Sequence, residues 1–490
     1  MPDAVSELAD FIRQGLSVTD ESARSKLQSL FSTGGRYPVR RDSGDSLIRD
    51  AYGLAKDEGG VPWAGLIHPE NPHSGPYGGA SLVWFPADKG SLLSLVVGTR
   101  GLSPDEGILT RPGHRRRVAA LRRYLSRHGI QAWSKPDPSL LDLPLPKSVS
   151  DAEQYAPFRA AFRRYGREMY CIAPVPNDVQ QARVVVEAFL NVYAYERGWQ
   201  PLADWKDEAA AFEADFRASL LPSMTAGEVS GLLDRRRFVI LQGPPGTGKT
   251  RLAEQVKQDH FDGHGMTIQF HPAVTYEDFV VGLSPDPSAS GLKFDVRRGW
   301  LARATAEARN GRFLLVIDEV NRADLGKVLG EAIYLFEAGE IGGERPRQVE
   351  LPHPIDGDRT LKIPDGLYVL GTMNTADRSI ASLDLAIRRR FAFVAIWPDR
   401  SVVAAKCPRE GLVIFDRLTD VFVDHAPLDS LDLLPGHAYF LADNEDEMRE
   451  RFRFELLPLI DEYLREGYLG PATTELFTVR DQIEDLVARG

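Results

Sequence analysis

The residues best suited to chemistry sit in three short strings. The first is Gly243-x-x-x-x-Gly248-Lys249-Thr250, made of Gly243, Pro244, Pro245, Gly246, Thr247, Gly248, Lys249 and Thr250. Glycines at this spacing let successive backbone N–H groups turn inward and cradle a phosphate chain. Lys249 would reach the terminal phosphate oxygens and the Thr250 hydroxyl would ligate Mg²⁺. The second string is Asp318-Glu319, two carboxylates ending an apolar run. Asp318 would hold the metal, and Glu319 would orient and deprotonate an attacking water. The third ends in Asn374, an amide that can donate to a γ-phosphate and accept from water without adding negative charge.

Each string needs an element to aim it. Phe238 to Leu241 reads as a buried strand feeding the glycine loop, and a helical pattern starts at Arg251, whose positive N-terminal end would favour an anion. Phe313-Leu-Leu-Val-Ile-Asp318 and Leu367-Tyr-Val-Leu-Gly-Thr-Met-Asn374 are continuous apolar runs, as expected of parallel strands covered on both faces. Met266 to Phe270 reads as a further strand. The helix after Asn374 ends in Arg388-Arg-Arg390, ahead of Phe391. In a ring of subunits, such cations could enter a neighbour's site.

The P-loop, the Asp318-Glu319-Val-Asn-Arg322 box and the string Met373-Asn-Thr-Ala-Asp-Arg-Ser379 resemble the McrB branch of AAA+ proteins, the motor subunits of modification-dependent McrBC restriction systems. Leu383-Asp384, Arg388-Arg-Arg-Phe391, Tyr276-Glu-Asp-Phe279 with Gly282, and Gly436-His-Ala-Tyr-Phe440 extend the similarity over about residues 237–440. The resemblance implies an αβα nucleotide-binding fold with a helical lid and assembly into rings, usually hexamers. It implies sensor duty for Asn374 and trans-acting duty for Arg389 and Arg390. McrB itself uses GTP where most AAA+ proteins use ATP, and no residue settles the base here. Within that family the nuclease is a separate, McrC-like subunit. This sequence offers no convincing metal-carboxylate-lysine or HNH arrangement, so it is expected to lack a cutting centre of its own. A MoxR-like chaperone acting on a protein client is the alternative that the motor motifs also permit.

The rest of the chain frames this motor. Its 490 residues exceed one hydrophobic core and call for several domains. The expected fold class is α/β, an AAA+ P-loop domain with a helical lid, preceded by a separate mixed α+β domain. The expected division is an N-terminal α+β domain at 1–135, a proline-rich linker and helical connector at 136–221, the nucleotide-binding domain at 222–400, and the lid at 401–490. Whether 151–221 completes the first domain or couples it to the motor stays open. In the lid, Gly411 to Val423 and Glu447 to Arg465 read as helices. No sensor-2 cation is assignable there, and Arg451 and Arg453 read as solvated.

Charge is unevenly spread. Residues 1–150 carry 19 Lys+Arg against 16 Asp+Glu, whereas the whole chain has 59 against 70. The acidity therefore belongs to the later segments and does not exclude an anionic partner at the front. A basic helix over Gly113–Arg127 offers Arg115, Arg116, Arg117, Arg122 and Arg123 as candidate DNA contacts. Trp63, Tyr77, Trp84, Phe85 and Trp133 are aromatics on which a base could stack, with burial in a core as the competing reading. Cys171 and Cys407 form no metal-ligand or disulfide pattern. Neither a membrane span nor a secretory leader is visible, which leads to the expectation of a cytoplasmic protein with DNA, modified in keeping with the family, as its partner.

Overall fold

The computed structural model describes the chain except for residues 1–2, 16–19, 41–43, 45, 49–51, 54–59, 72–78, 89, 99–104, 141–142, 286–292, 344, 378–382, 384 and 490. Tyr77, Arg378, Ser379 and Asp384, named above, lie outside the described residues. The chain divides into two compact units, Met1–Leu221 with Val423–His425, and Pro222–Phe422 with Ala426–Gly490.

The first unit is built on an antiparallel sheet of six strands. Gly79–Pro86 and Ser91–Gly98 lie at its centre, buried along their whole length. Their side chains alternate between two cores, as the two-residue period of a strand demands. Leu82, Trp84, Leu93 and Leu95 pack against the helices Ala4–Arg13, Pro112–Arg127 and Val179–Arg197. Val83, Phe85, Leu92 and Val96 face Tyr155, Phe158 and Tyr165 instead.

This arrangement corrects the expected boundary near residue 135. Met169–Val175 pairs antiparallel with Ser91–Gly98 and also with Trp133–Ser134, so residues beyond 135 complete the sheet. The proline-studded stretch is packed rather than a free spacer. Lys135 is buried, and its ammonium donates to the carbonyls of Leu140 and Arg167.

The second unit holds a five-stranded parallel sheet: β1 (Phe238–Gly243), β2 (Gly265–Gln269), β3 (Phe313–Asp318), β4 (Leu367–Asn374) and β5 (Ala392–Ala395). Their spatial order is β5-β1-β4-β3-β2. Phe238, Ile240, Leu315, Ile317 and Val369 enter one core, and Val239, Leu241, Leu314, Val316 and Leu370 the other. Both faces are covered, which explains why these strands read as unbroken apolar runs. Because the strands are parallel, the C-terminal ends of β1, β3 and β4 share one edge, and all three chemical strings lie there.

The last part of this unit is helical. Arg409–Asp424 is followed by Glu445–Arg451, which runs through a π turn at Phe452–Leu456 into Leu457–Arg465, and Thr473–Ala488 closes the chain. Among the described residues no helix is long and apolar enough to cross a membrane.

Candidate functional site

The glycine loop leaves β1 and delivers its last residues into the helix α1, Lys249–His260. Gly246 and Gly248 adopt left-handed backbone (φ 75° and 76°), which a side chain would resist. Gly248 is the N-cap of α1, so the loop ends on unpaired N–H donors at the positive end of a helix. Lys249 is buried, and its ammonium donates to the carbonyls of Gly243 at 2.9 Å and Pro244 at 2.7 Å. Burial lowers its pKa from 10.5 to about 8, although Glu319, Asp318 and Asp432 pull the other way. A phosphate chain would offer this cation the anion it lacks.

β3 and β4 bring the acids and the amide together. The Thr250 hydroxyl donates to Asp318 Oδ1 at 2.7 Å, so the two oxygens expected to share a metal are adjacent. They are hard oxygen donors at an open edge, a set suited to Mg²⁺ with several waters retained. The Asn374 amide Nδ2 donates to Glu319 Oε1 at 2.5 Å, and Arg322 lies 3.4 Å from the other carboxylate oxygen. Glu319 itself is in the left-handed region (φ 56°, ψ 48°), an uncommon state for a residue with a Cβ. Such a conformation costs on the order of 1–3 kcal/mol and persists where surrounding contacts over-determine it.

One such contact is Thr372, which the sequence reading passed over. Its hydroxyl donates to Asp318 Oδ1 at 2.5 Å and accepts from the Glu319 N–H at 3.2 Å. This single β4 hydroxyl therefore ties both acids down. Asn321 likewise donates to the Asn374 carbonyl at 3.1 Å, tying the end of β4 to the turn that follows β3. Some fifty residues apart in sequence but adjacent in space, these residues could be found only once the β3–β4 pairing is known.

The helical part adds a clamp over the loop. The Gly436 N–H donates to Pro245 O at 3.1 Å, and the Ala438 N–H donates to Gly246 O at 3.0 Å. A Cβ on Gly436 would stand 2.1 Å from the Gly246 carbonyl carbon, so only glycine fits. His437 Nδ1 accepts from the Asp399 N–H at 3.2 Å, which assigns the proton of the neutral ring to Nε2. Burial lowers the His437 pKa, against an opposing pull from Asp399 and with added repulsion from Arg251. Its Nε2 lies 3.4 Å from where a Gly248 Cβ would be. A neutral N–H donor thus faces the phosphate loop. Arg451 is less solvated than expected: it donates to the Ala438 carbonyl at 3.4 Å and supports the clamp.

Arg389 and Arg390 are not brought to this edge. They follow the short helix Leu385–Arg388 and precede β5, whose first residue pairs with Val239 near the start of β1. That is the opposite end of the parallel sheet from the glycine loop. Arg390 donates to the Ala386 carbonyl at 2.8 Å, while Arg389 is exposed.

In the first unit the basic helix does not present its arginines together. Arg116 and Arg117 are buried, Arg115 pairs with Asp137 at 3.1 Å, and Arg123 donates to the Ser219 carbonyl at 2.7 Å. The Arg117 guanidinium lies 3.5 Å from the Tyr195 ring centroid. Of the five, Arg122 is exposed. The charge run was mainly structural, because the helix is inserted among other elements instead of lying on the surface. Trp84 and Phe85 are core too: Trp84 meets Phe11 edge-on, and Phe85 stacks on Tyr165. Trp63 and Trp133 pack, partly buried, against that second core.

A glycine-rich loop running into a helix, with two carboxylates and an amide on the same edge of a parallel sheet, is the arrangement of a P-loop nucleoside triphosphatase. Residues 238–391 match the family described as AAA domain (dynein-related subfamily). Over 353 residues the chain is 27% identical to the type IV methyl-directed restriction enzyme EcoKMcrB subunit of Escherichia coli K12, covering 65% of this chain and 75% of that protein. It is 26% identical over 190 residues to the type II restriction enzyme BsuMI component YdiS of Bacillus subtilis 168, covering 31% of this chain and 55% of that one. The RuvB Holliday junction branch migration motor of Thermotoga maritima overlaps 52% of this chain and 67% of its own at 15% identity. Its TM-score of 0.23 is too low to bear on the fold. The chain thus carries an AAA domain and, over about two thirds of its length, is similar to a McrB restriction subunit.

Proposed function

We propose that the chain is the ring-forming, NTP-hydrolysing motor of a McrBC-like restriction system, with GTP or ATP as substrate. The observation that carries this is the coupled Asp318–Glu319–Asn374 constellation beside the P-loop, in a chain similar to EcoKMcrB along most of its length. Lys249 and the loop N–H groups bind the phosphates, and Thr250 with Asp318 would hold Mg²⁺, which when bound screens the phosphate charge. Glu319, held by Asn374, orients water and accepts its proton. Arg389 and Arg390, at the far end of their own sheet, act on a neighbouring subunit's nucleotide, with a hexamer as the expected closed ring. The first unit recognises DNA, and a separate McrC-like nuclease subunit makes the cut.

The test is hydrolysis of GTP and of ATP by the purified chain, alone and with a McrC-like nuclease subunit. Turnover that requires Glu319 and rises with the partner is expected. Full turnover by a Glu319→Gln protein, or stimulation only by an unfolded protein client, would overturn the assignment.

A further inference from the structure

With most of the basic helix's candidate arginines internal or bonded, a closer cluster of exposed positive charge in the first unit lies elsewhere. Arg159, Arg163, Arg164 and Arg167 fall within nine residues, on and just after the short helix Arg159–Tyr165. All four are exposed. They line a cleft of about 570 Å³ whose walls also include Pro144, Leu145 and Phe162. Arg159 and Arg163 are one helical turn apart, about 5–6 Å between their Cβ atoms.

What sets these side chains apart is how little they are paired. Several other arginines of the unit are matched to acids: Arg36 to Glu187, Arg115 to Asp137, Arg127 to Asp215, Arg197 to Asp105. Among the described residues none of the four cleft arginines forms an ion pair. Arg159 donates to the Asp151 carbonyl at 3.4 Å, and Arg164 lies 5.5 Å from the Tyr165 ring centroid. Asp151 and Glu168 also line the cleft but neutralise none of the four directly. Four like charges held close together repel one another, and an external polyanion relieves that repulsion.

We propose that this cleft is a phosphate-backbone contact site for duplex DNA. The inference rests on the reading of the first unit as the DNA-recognising part, and it moves the contact from the Gly113–Arg127 helix to the 159–167 segment. Duplex DNA carries one negative charge per about 1.7 Å of axis, dense enough to meet several closely spaced guanidiniums at once. Arginine suits this task because its planar fork donates two parallel bonds to a phosphate. These contacts position the duplex and are indifferent to base identity.

The test is binding of a short fluorescent duplex to the full chain across a salt series. Compared with wild type are a variant carrying Arg159→Gln, Arg163→Gln, Arg164→Gln and Arg167→Gln, the same four positions changed to Lys, and Arg122→Gln as a control. Neutralising four contacts should flatten the slope of log K against log salt by roughly 3–4 and weaken binding about 10³-fold at 0.1 M salt. The Lys variant should keep the wild-type slope, and so should Arg122→Gln. A circular dichroism spectrum and thermal melt unchanged from wild type in each variant confirm folding. Wild-type affinity and slope in the Gln variant would overturn the cleft while leaving DNA recognition by the first unit standing. A wild-type chain that binds no duplex would sink both. Displacement of the duplex by an acidic polypeptide at equal charge concentration, more readily than by competing DNA, would replace the duplex with a protein partner and refute the proposal.

Discussion

Raising the pH above 8 should weaken nucleotide binding through Lys249 alone. In the nucleotide-free site its pKa is lowered from 10.5 to about 8, first by burial, with Glu319, Asp318 and Asp432 only partly offsetting this. A displacement of that size corresponds to roughly 3 kcal/mol against carrying the charge. Phosphates in the loop supply the missing counter-charge and hold the lysine protonated, so binding takes up a proton once the free site has lost it. The sign follows: affinity is flat below pH 8 and falls above it. Between pH 7 and pH 9 the protonated fraction of the free site drops about tenfold, and the association constant should follow. Calorimetric titration of a Glu319→Gln protein with a non-hydrolysable nucleotide, in buffers of different ionisation enthalpy, reads the proton directly. About half a proton should be taken up at pH 8. A Lys249→Met protein should bind weakly and lose this pH dependence. Affinity that stays level from pH 7.5 to 9.5, with no proton uptake at pH 8.5, would refute the reasoning.

Four further outcomes are expected. Thr372→Val removes the hydroxyl shared by Asp318 and the Glu319 N–H; kcat should fall roughly 10- to 100-fold, the loss of about 1.5–3 kcal/mol of charge-assisted bonding, with nucleotide affinity nearly kept. Steady-state kinetics beside equilibrium binding separates the two. Glu319→Gln should cut turnover by about 10²–10⁴, the usual worth of a positioned base, while binding persists. Mixing an Arg389→Ala, Arg390→Ala protein with Glu319→Gln protein should restore part of the hydrolysis that neither shows alone, because the intact arginines of one serve the intact base of the other. No recovery at any ratio would exclude a role in trans. Gly436→Ala forces a methyl into the Gly246 carbonyl and should lower nucleotide affinity, and a thermal melt with and without nucleotide should show a reduced ligand-induced shift.

The motor was legible in the sequence because its signals are local. A glycine loop, an acid pair ending an apolar run and an amide ending another each mark an element that the structure contains. Thr372 escaped because its importance comes from lying beside Asp318 and Glu319 across a strand pair. His437 and Gly436 were visible as part of a string, yet their place against the glycine loop depends on how the helical segment folds back. The first unit was harder to read. Lys135 and its proline-rich surroundings look like a spacer in composition, but the lysine is buried against the Leu140 and Arg167 carbonyls. A run of arginines in a sequence does not reveal whether carboxylates and carbonyls from distant segments will meet it. Gly113–Arg127 meets many of them, and 159–167 meets few.

The two backbone bonds from Gly436 and Ala438 to the glycine loop make a hinge without play. Main-chain groups have no rotamers with which to absorb a displacement, and the absent Cβ leaves no gap to close. If a bound phosphate chain shifts the glycine loop, these two bonds would carry the shift into the segment that begins at residue 436. In the ring proposed above, such a shift would turn the face shown to the next subunit.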